Sequence, residues 1–251
     1  MYIDRSEIKG IAKRKLRHHV GQGFMIGLLP LIILGVMIFL AVLSWQQATH
    51  QIMHVDTLAN RLLWPTSVHL GNTLAEMLLS LAADIVTAST SLGYLYWLRQ
   101  KEPITQPFRL GLLGFSPRYF PLFILTYMTL SVINYFPLGL LPTAKGWFAA
   151  LYLVLAVVII IVGLGLSQVY YVAMDLRDSG HGNILAVLRI SWQLMSGFKW
   201  QYFVLQLSFI GWNLLGALLL PQIWIVSYQQ LTYAAFYEKL RDYKPELLPA
   251  R

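Results

Sequence analysis

Apolar residues in this chain come in long unbroken runs, not in the alternating or one-faced patterns of soluble strands and helices. The first run, 24–45, carries no charge, and at about 1.5 Å per helical residue it reaches across the roughly 30 Å core of a bilayer. Further runs occupy 67–98, 119–141, 147–174, 202–220 and 223–237. The pattern predicts an all-α polytopic transmembrane helical bundle of six spans. Pro121, Pro137 and Pro142 mark the ends of the third span or a kink in it, and Pro221 with Gln222 makes a tight break before the sixth. Gln229, Gln230 and Thr232 leave that sixth span the least apolar. The first run is too long for a signal peptide and lacks a small-residue cleavage pattern after it, so it is expected to be retained.

Two further segments have one-faced patterns and predict helices lying at the membrane interface, one at the N-terminus and one before span five. In the first, Ile8, Ile11, Ala12 and Leu16 share a face while Lys9, Lys13, Arg14 and Arg17 lie around the other, and Asp4 with Glu7 resembles a cap. In the second, 183–196, Ile184, Leu185, Leu188, Trp192 and Met195 lie on one side, with Arg189, Gln193 and Ser196 opposite. Both are expected at the cytoplasmic headgroups.

Charge orients the bundle. The net charge is +8, and if the N-terminus is inside, all but Arg61 and Lys145 of the 19 Lys and Arg fall on the cytoplasmic side. A five-span arrangement would put the C-terminal tail outside and spoil this partition. Both termini are therefore expected in the cytoplasm. Lys9, Lys13, Arg14, Lys15, Arg17 and Arg189 are candidate contacts for anionic lipid, the alternative being that they act as topology signals only. Membrane lipids, not nucleic acid, are the expected partners, because the basic residues stand beside spans.

Composition agrees, with 57% hydrophobic and only 12% charged residues. At 251 residues the six helices leave no room for a separate soluble domain, so 1–251 reads as a single membrane domain. There is no cysteine, which excludes disulfides, thiolate nucleophiles and Cys-ligated metals. The chain has no G-x-x-x-x-G-K-[ST], H-E-x-x-H or G-x-S-x-G motif, so the usual routes to an ATPase, a zinc protease or a serine hydrolase are closed.

The candidate chemistry centres on Asp84, because an acid at membrane depth costs about 2.5–3.5 kcal/mol on insertion scales. Glu76, Ser80, Asp84, Thr87 and Ser91 fall on one face of the second span and form a polar stripe that must face protein or water. Two readings stay open. Asp84 is either polar glue to Asn134, Gln168, Gln206 or Asn213 on a neighbouring helix, or part of a hydrophilic groove, a proton-linked site or a headgroup pocket. Asp84 and Glu76 stand about 12 Å apart by helical rise, too far for a catalytic dyad. His50 and His54, with Asp56 nearby, lack a third metal ligand, so neither a metal nor a cofactor is expected. Gly23 with Gly27, and Gly163, Gly165 and Ser167, are small residues suited to close helix approach. Ser208, Gly211 and Trp212 put a small patch beside a large aromatic, read as a packing knob or a ligand wall.

Several stretches resemble the DUF975 family of bacterial integral membrane proteins. They are Arg5-Ser6-Glu7-Ile8-Lys9 with Ala12-Lys13, Phe108 and Gly114-Phe115, Ser191 with Leu194-Met195-x-Gly197, the run Leu207-Ser208-Phe209-Ile210-Gly211-Trp212, and Tyr228 with Phe236-Tyr237. The chain departs from the family's pattern at Ser227, where a proline is usual, and at the Leu220-Pro221 link. The resemblance implies a multi-helix plasma-membrane protein with no established activity. The reading that follows is a non-enzymatic protein that binds or organises lipids or other amphiphiles, with a small secondary transporter and an intramembrane enzyme as alternatives.

Overall fold

Asp4 starts the first helix by accepting the Ser6 backbone N–H at 2.9 Å, which satisfies one of the donors that a helix N-terminus leaves unpaired. The computed structural model describes residues 3–54, 67–139, 148–180, 182–216 and 222–249. Among them every regular element is helical and no strand occurs. The α-helices are α1 (Arg5–His18), α2 (Val20–His54), α3 (Ser67–Arg99), α4 (Pro107–Gly111), α5 (Phe120–Gly139), α6 (Phe148–Gly165), α7 (Val169–Asp178), α8 (Ile184–Leu194), α9 (Lys199–Leu207), α10 (Ile210–Gly216) and α11 (Gln222–Tyr243).

Expected spans four and five are each broken by a short turn. α6 passes to α7 through Leu166, Ser167 and Gln168, and α9 passes to α10 through Ser208 and Phe209. Among the described residues one stretch, Leu153–Asp178, is long and apolar enough to cross a membrane by length and composition, and only 22% of its most apolar window is buried. Shorter apolar stretches occur at Val20–Ile33, Phe120–Ile133 and Ile184–Leu194, and parts of the other expected spans lie outside the described residues.

α1 is docked on protein. Ile8 and Ala12 have no exposed surface, and α1 lies against α11, so its apolar face is covered by helix and not by headgroups as its pattern suggested. Glu7, expected to complete the cap, instead pairs with Lys239 of α11 at 2.6 Å. In α8 the buried line is Val187, Ser191 and Leu194, whereas Leu185 and Trp192 are exposed. The buried face is thus turned from the one the apolar pattern marks, because Ser191 faces α6 and donates to the Gly165 carbonyl at 3.2 Å. Lys244 closes the C-terminal end of α8, its Nζ donating to the carbonyls of Gln193 at 2.6 Å and Ser196 at 2.9 Å. A cation at that pole of the helix dipole is favoured. Gly197 follows with φ +86°, a conformation open to glycine at little cost.

The connection from α3 to α5 folds back into the bundle. α4 packs on α2 and α3, and the Gly114 N–H donates to Ser89 Oγ at 3.0 Å. Gly93 makes the approach possible, since a Cβ there would fall on the Leu110 carbonyl. Gly23 and Gly27 make the matching approach on α2: a Cβ at Gly27 would lie 2.6 Å from the Tyr94 hydroxyl. That hydroxyl donates to the Gly23 carbonyl at 2.9 Å and lies 2.8 Å from Ser227 Oγ.

Candidate functional site

Asp84 opens onto a groove of about 400 Å³ between the helices. α3 contributes Asp84, Thr87 and Ser91 to its wall. Tyr127 and Ser131 come from α5, Ser167 from the turn after α6, and Tyr170 and Tyr171 from α7. Tyr202 of α9 and Gln230 and Tyr233 of α11 complete it. The Tyr202 ring packs 5.4 Å from that of Tyr233 and 5.1 Å from that of Phe236, so the aromatic wall is held by neighbouring rings.

Four hydroxyls of this wall donate to main-chain carbonyls. Thr87 donates its hydroxyl proton to the Ala83 carbonyl at 2.7 Å, Ser91 to Ala88 at 2.7 Å, and Ser167 to Leu164 at 2.9 Å, each within its own helix. Tyr127 donates to the Leu81 carbonyl at 3.2 Å. Their protons are spent on backbone, and the Ser167 oxygen in turn accepts from Gln168 Nε2 at 3.1 Å. A second cavity of about 150 Å³ adjoins the groove and shares Leu130, Ser167 and Tyr170 with it. The rest of its lining, Ile133, Val162, Gly163 and Leu166, is apolar.

Of the expected polar stripe, Asp84, Thr87 and Ser91 meet in the groove. Glu76 and Ser80 lie on α3 with side chains outside the described residues, as are those of Asn134, His50 and His54; Asp56 lies outside them too. Gln168 is fully buried, its Nε2 3.1 Å from Ser167 Oγ, while its Oε1 is among the few buried side-chain oxygens with no partner. The Ser208, Gly211 and Trp212 patch does not make a close helix contact: a Cβ at Gly211 would meet nothing within 4 Å, and Trp212 is exposed with its ring edge-on to Tyr228 at 6.5 Å. The packing residue there is Phe209, fully buried between Tyr228 and Tyr233. Close approach occurs instead at Gly165, where a Cβ would strike the Trp192 ring.

The basic candidates divide. Lys13, Arg14, Arg17 and Arg189 are exposed. Lys15 donates to the Gln100 carbonyl and lies 5.7 Å from the Trp97 ring, and Lys9 stands 4.7 Å from the Phe209 ring. Burial pulls both ammonium groups below their ordinary pKa.

One charged cluster was not anticipated. Asp175 on α7, 5% exposed, receives Arg99 from α3 through two nitrogens at 2.6 and 3.0 Å, Arg241 from α11 at 2.6 Å and the Tyr237 hydroxyl at 2.7 Å. Arg99 also donates to Glu238 at 2.8 Å. Asp175 stands next to Arg177 and Asp178, so in sequence it reads as part of a solvated charged loop. The available signal was its position directly after the apolar Val172-Ala173-Met174.

Residues 1–244 match the family model described as a protein of unknown function (DUF975). The chain belongs to the DUF975 family. No match to a curated protein or to a solved structure was found. Three residues of the DUF975 resemblance, Phe209, Phe236 and Tyr237, are buried in the same core as the groove's Tyr171 and Tyr202, and Ser191 ties α8 to the end of α6. Ser227 donates to the Gly23 carbonyl at 3.0 Å, a bond that a proline at this position could not make.

Proposed function

We propose that this DUF975 protein is a multi-pass protein of the bacterial plasma membrane, with six spans and both termini in the cytoplasm, and that it holds an amphiphile without transforming it. The observation that carries this reading is a pair of adjoining cavities, a groove with polar side chains at Asp84 and a pocket beside Gly163 lined mainly by apolar side chains. A headgroup fits the first and part of an acyl chain the second.

The outer surface supports the membrane setting. Met128 and Val132 on α5, and Leu153, Val154 and Ile160 on α6, are all more than half exposed, an apolar face that water does not favour. Asp84 lies about 22 Å along α3 from Arg99, which puts the groove at bilayer depth if Arg99 marks the inner boundary. A binding role is supported over catalysis by the described lining, which contains one carboxylate and no Lys, Arg or His to act with it.

The test is photolabelling in nanodiscs with a phospholipid bearing a diazirine on its acyl chain, with adducts mapped by mass spectrometry. Label is expected on Leu130, Val162 and Tyr170 as well as on the outward face of α6. Gly163→Leu, which fills open space in the apolar pocket, should remove the first set and leave the second. Label confined to the outward face in the unaltered protein would refute the reading.

A further inference from the structure

We infer that the groove and a further cavity nearer the cytoplasmic end are two halves of one hydrophilic passage, closed by a layer of tyrosine that Asp175 latches. The passage admits small polar groups to the groove from the cytoplasmic face. The headgroup of the amphiphile proposed above is among them, and in naming that cargo the inference rests on the amphiphile reading.

The further cavity has a volume of about 350 Å³ and surrounds the Asp175 cluster. Arg99, Asp175, Asp178 and Arg241 line it, so its wall is charged where the wall of the groove is mostly hydroxyl and ring.

The same three helices build both walls. On α7, Tyr171 lines the groove and Asp175 the cavity; on α11 the pair is Tyr233 and Arg241, and on α3 it is Ser91 and Arg99. The members of these pairs stand four, eight and eight residues apart. Such spacings keep each pair within about 80° of arc on its helix and about 6–12 Å apart along it, which stacks the two spaces end to end.

Tyr237 fills the interval. It lies midway between Tyr233 and Arg241 on α11 and has no exposed surface, and Leu95, equally buried, holds the matching position between Ser91 and Arg99 on α3. The Tyr237 ring stands 5.1 Å from that of Tyr171 on the groove side, and its hydroxyl donates to Asp175 at 2.7 Å on the cavity side. A single layer of side chains therefore stands between the two spaces.

The manner of closure favours a gate over a permanent core. A core needs no charge here, because well-packed apolar side chains hold helices as well as a buried ion pair does, or better. What holds this layer is a hydroxyl bonded to a carboxylate that Arg99 and Arg241 share at the edge of a cavity. Such discrete bonds can be exchanged for water or a polar guest, an alternative that apolar packing lacks.

Cysteine accessibility tests the passage, in a chain that has no native cysteine. Thr87→Cys places a thiol on the exposed groove wall, and Ser179→Cys places one in the cytoplasmic cavity as the reference. The probe is impermeant trimethylammonioethyl methanethiosulfonate, added to inside-out membrane vesicles so that it meets the cytoplasmic face alone. The Thr87→Cys rate is divided by the Ser179→Cys rate in the same background. With Tyr237 in place the ratio should be low. Tyr237→Ala should raise it at least about tenfold, and Tyr237→Phe, which keeps the ring and loses only the bond to Asp175, severalfold, since the rate follows the open fraction. Phe198→Ala removes a comparably buried ring of the same core that lines neither space, and should leave the ratio unchanged.

Should Tyr237→Ala fail to fold, Tyr237→Phe decides alone. An unchanged ratio in the tyrosine variants, an equal rise in Phe198→Ala, or a ratio near unity with Tyr237 in place overturns the gated passage; acyl-chain label beside Gly163 then leaves the amphiphile reading standing. A raised ratio in a protein that takes no such label keeps the passage and removes the headgroup as its cargo.

Discussion

Arg99 grips Asp175 with two nitrogens at 2.6 and 3.0 Å, and so ties the end of α3 to α7. Arg241 reaches the same carboxylate from α11, so a single buried acid joins three helices. Removing one partner of a buried pair leaves the others charged and unmatched, which costs about 3–5 kcal/mol. Asp175→Ala is therefore expected to lower the melting temperature in detergent sharply, by more than Asp178→Ala, whose carboxylate pairs with Arg118 at an exposed site. Equal effects from the two variants would show that the Asp175 cluster does not hold the helices together.

Glycines predict a second contrast. Gly93→Ala drives a methyl into the Leu110 carbonyl and must displace α4, at an expected cost of about 1–3 kcal/mol. Gly211→Ala enters open space and should be neutral or slightly stabilising. Thermal melting of the two variants side by side measures the difference.

The six-span orientation predicts labelling. A cysteine placed at Thr57 should react with an impermeant maleimide added outside intact cells, while one at Thr105 or Glu246 should react only after the membrane is opened. The absence of native cysteine makes the background clean. Reversed labelling would invert or dismantle the proposed topology.

Anionic lipid should follow exposure. Each basic residue near an anionic surface contributes about 1 kcal/mol, so Lys13, Arg14 and Arg17 changed together to Gln should reduce the phosphatidylglycerol and cardiolipin that copurify, as read by mass spectrometry. Lys15→Gln should leave lipid unchanged and lower stability instead, because Lys15 holds the Gln100 carbonyl.

Asp84 was legible in the sequence because an acid inside a long apolar run has no ordinary explanation, and the helical period placed Thr87 and Ser91 beside it. The tyrosine wall was not legible. Tyr127, Tyr170, Tyr202 and Tyr233 come from four different helices, and single-helix periodicity carries no information about which faces meet. The docking of α1 was hidden for a related reason: an apolar stripe specifies that a face is covered, and headgroups and a neighbouring helix cover it equally well. The break within expected span five was not legible because the turn at Ser208 and Phe209 contains no proline or glycine to mark it.

The contact between α1 and α11 has a consequence for biosynthesis. α1 leaves the ribosome well before α11, which carries Lys239, the partner of Glu7. Throughout translation Ile8, Ala12 and Leu16 have no α11 to cover them, and the basic face of α1 offers a temporary berth on the lipid surface. Closure of α1 onto α11 thus reports that α11 has arrived, and a chain stalled before that point keeps the apolar face of α1 uncovered.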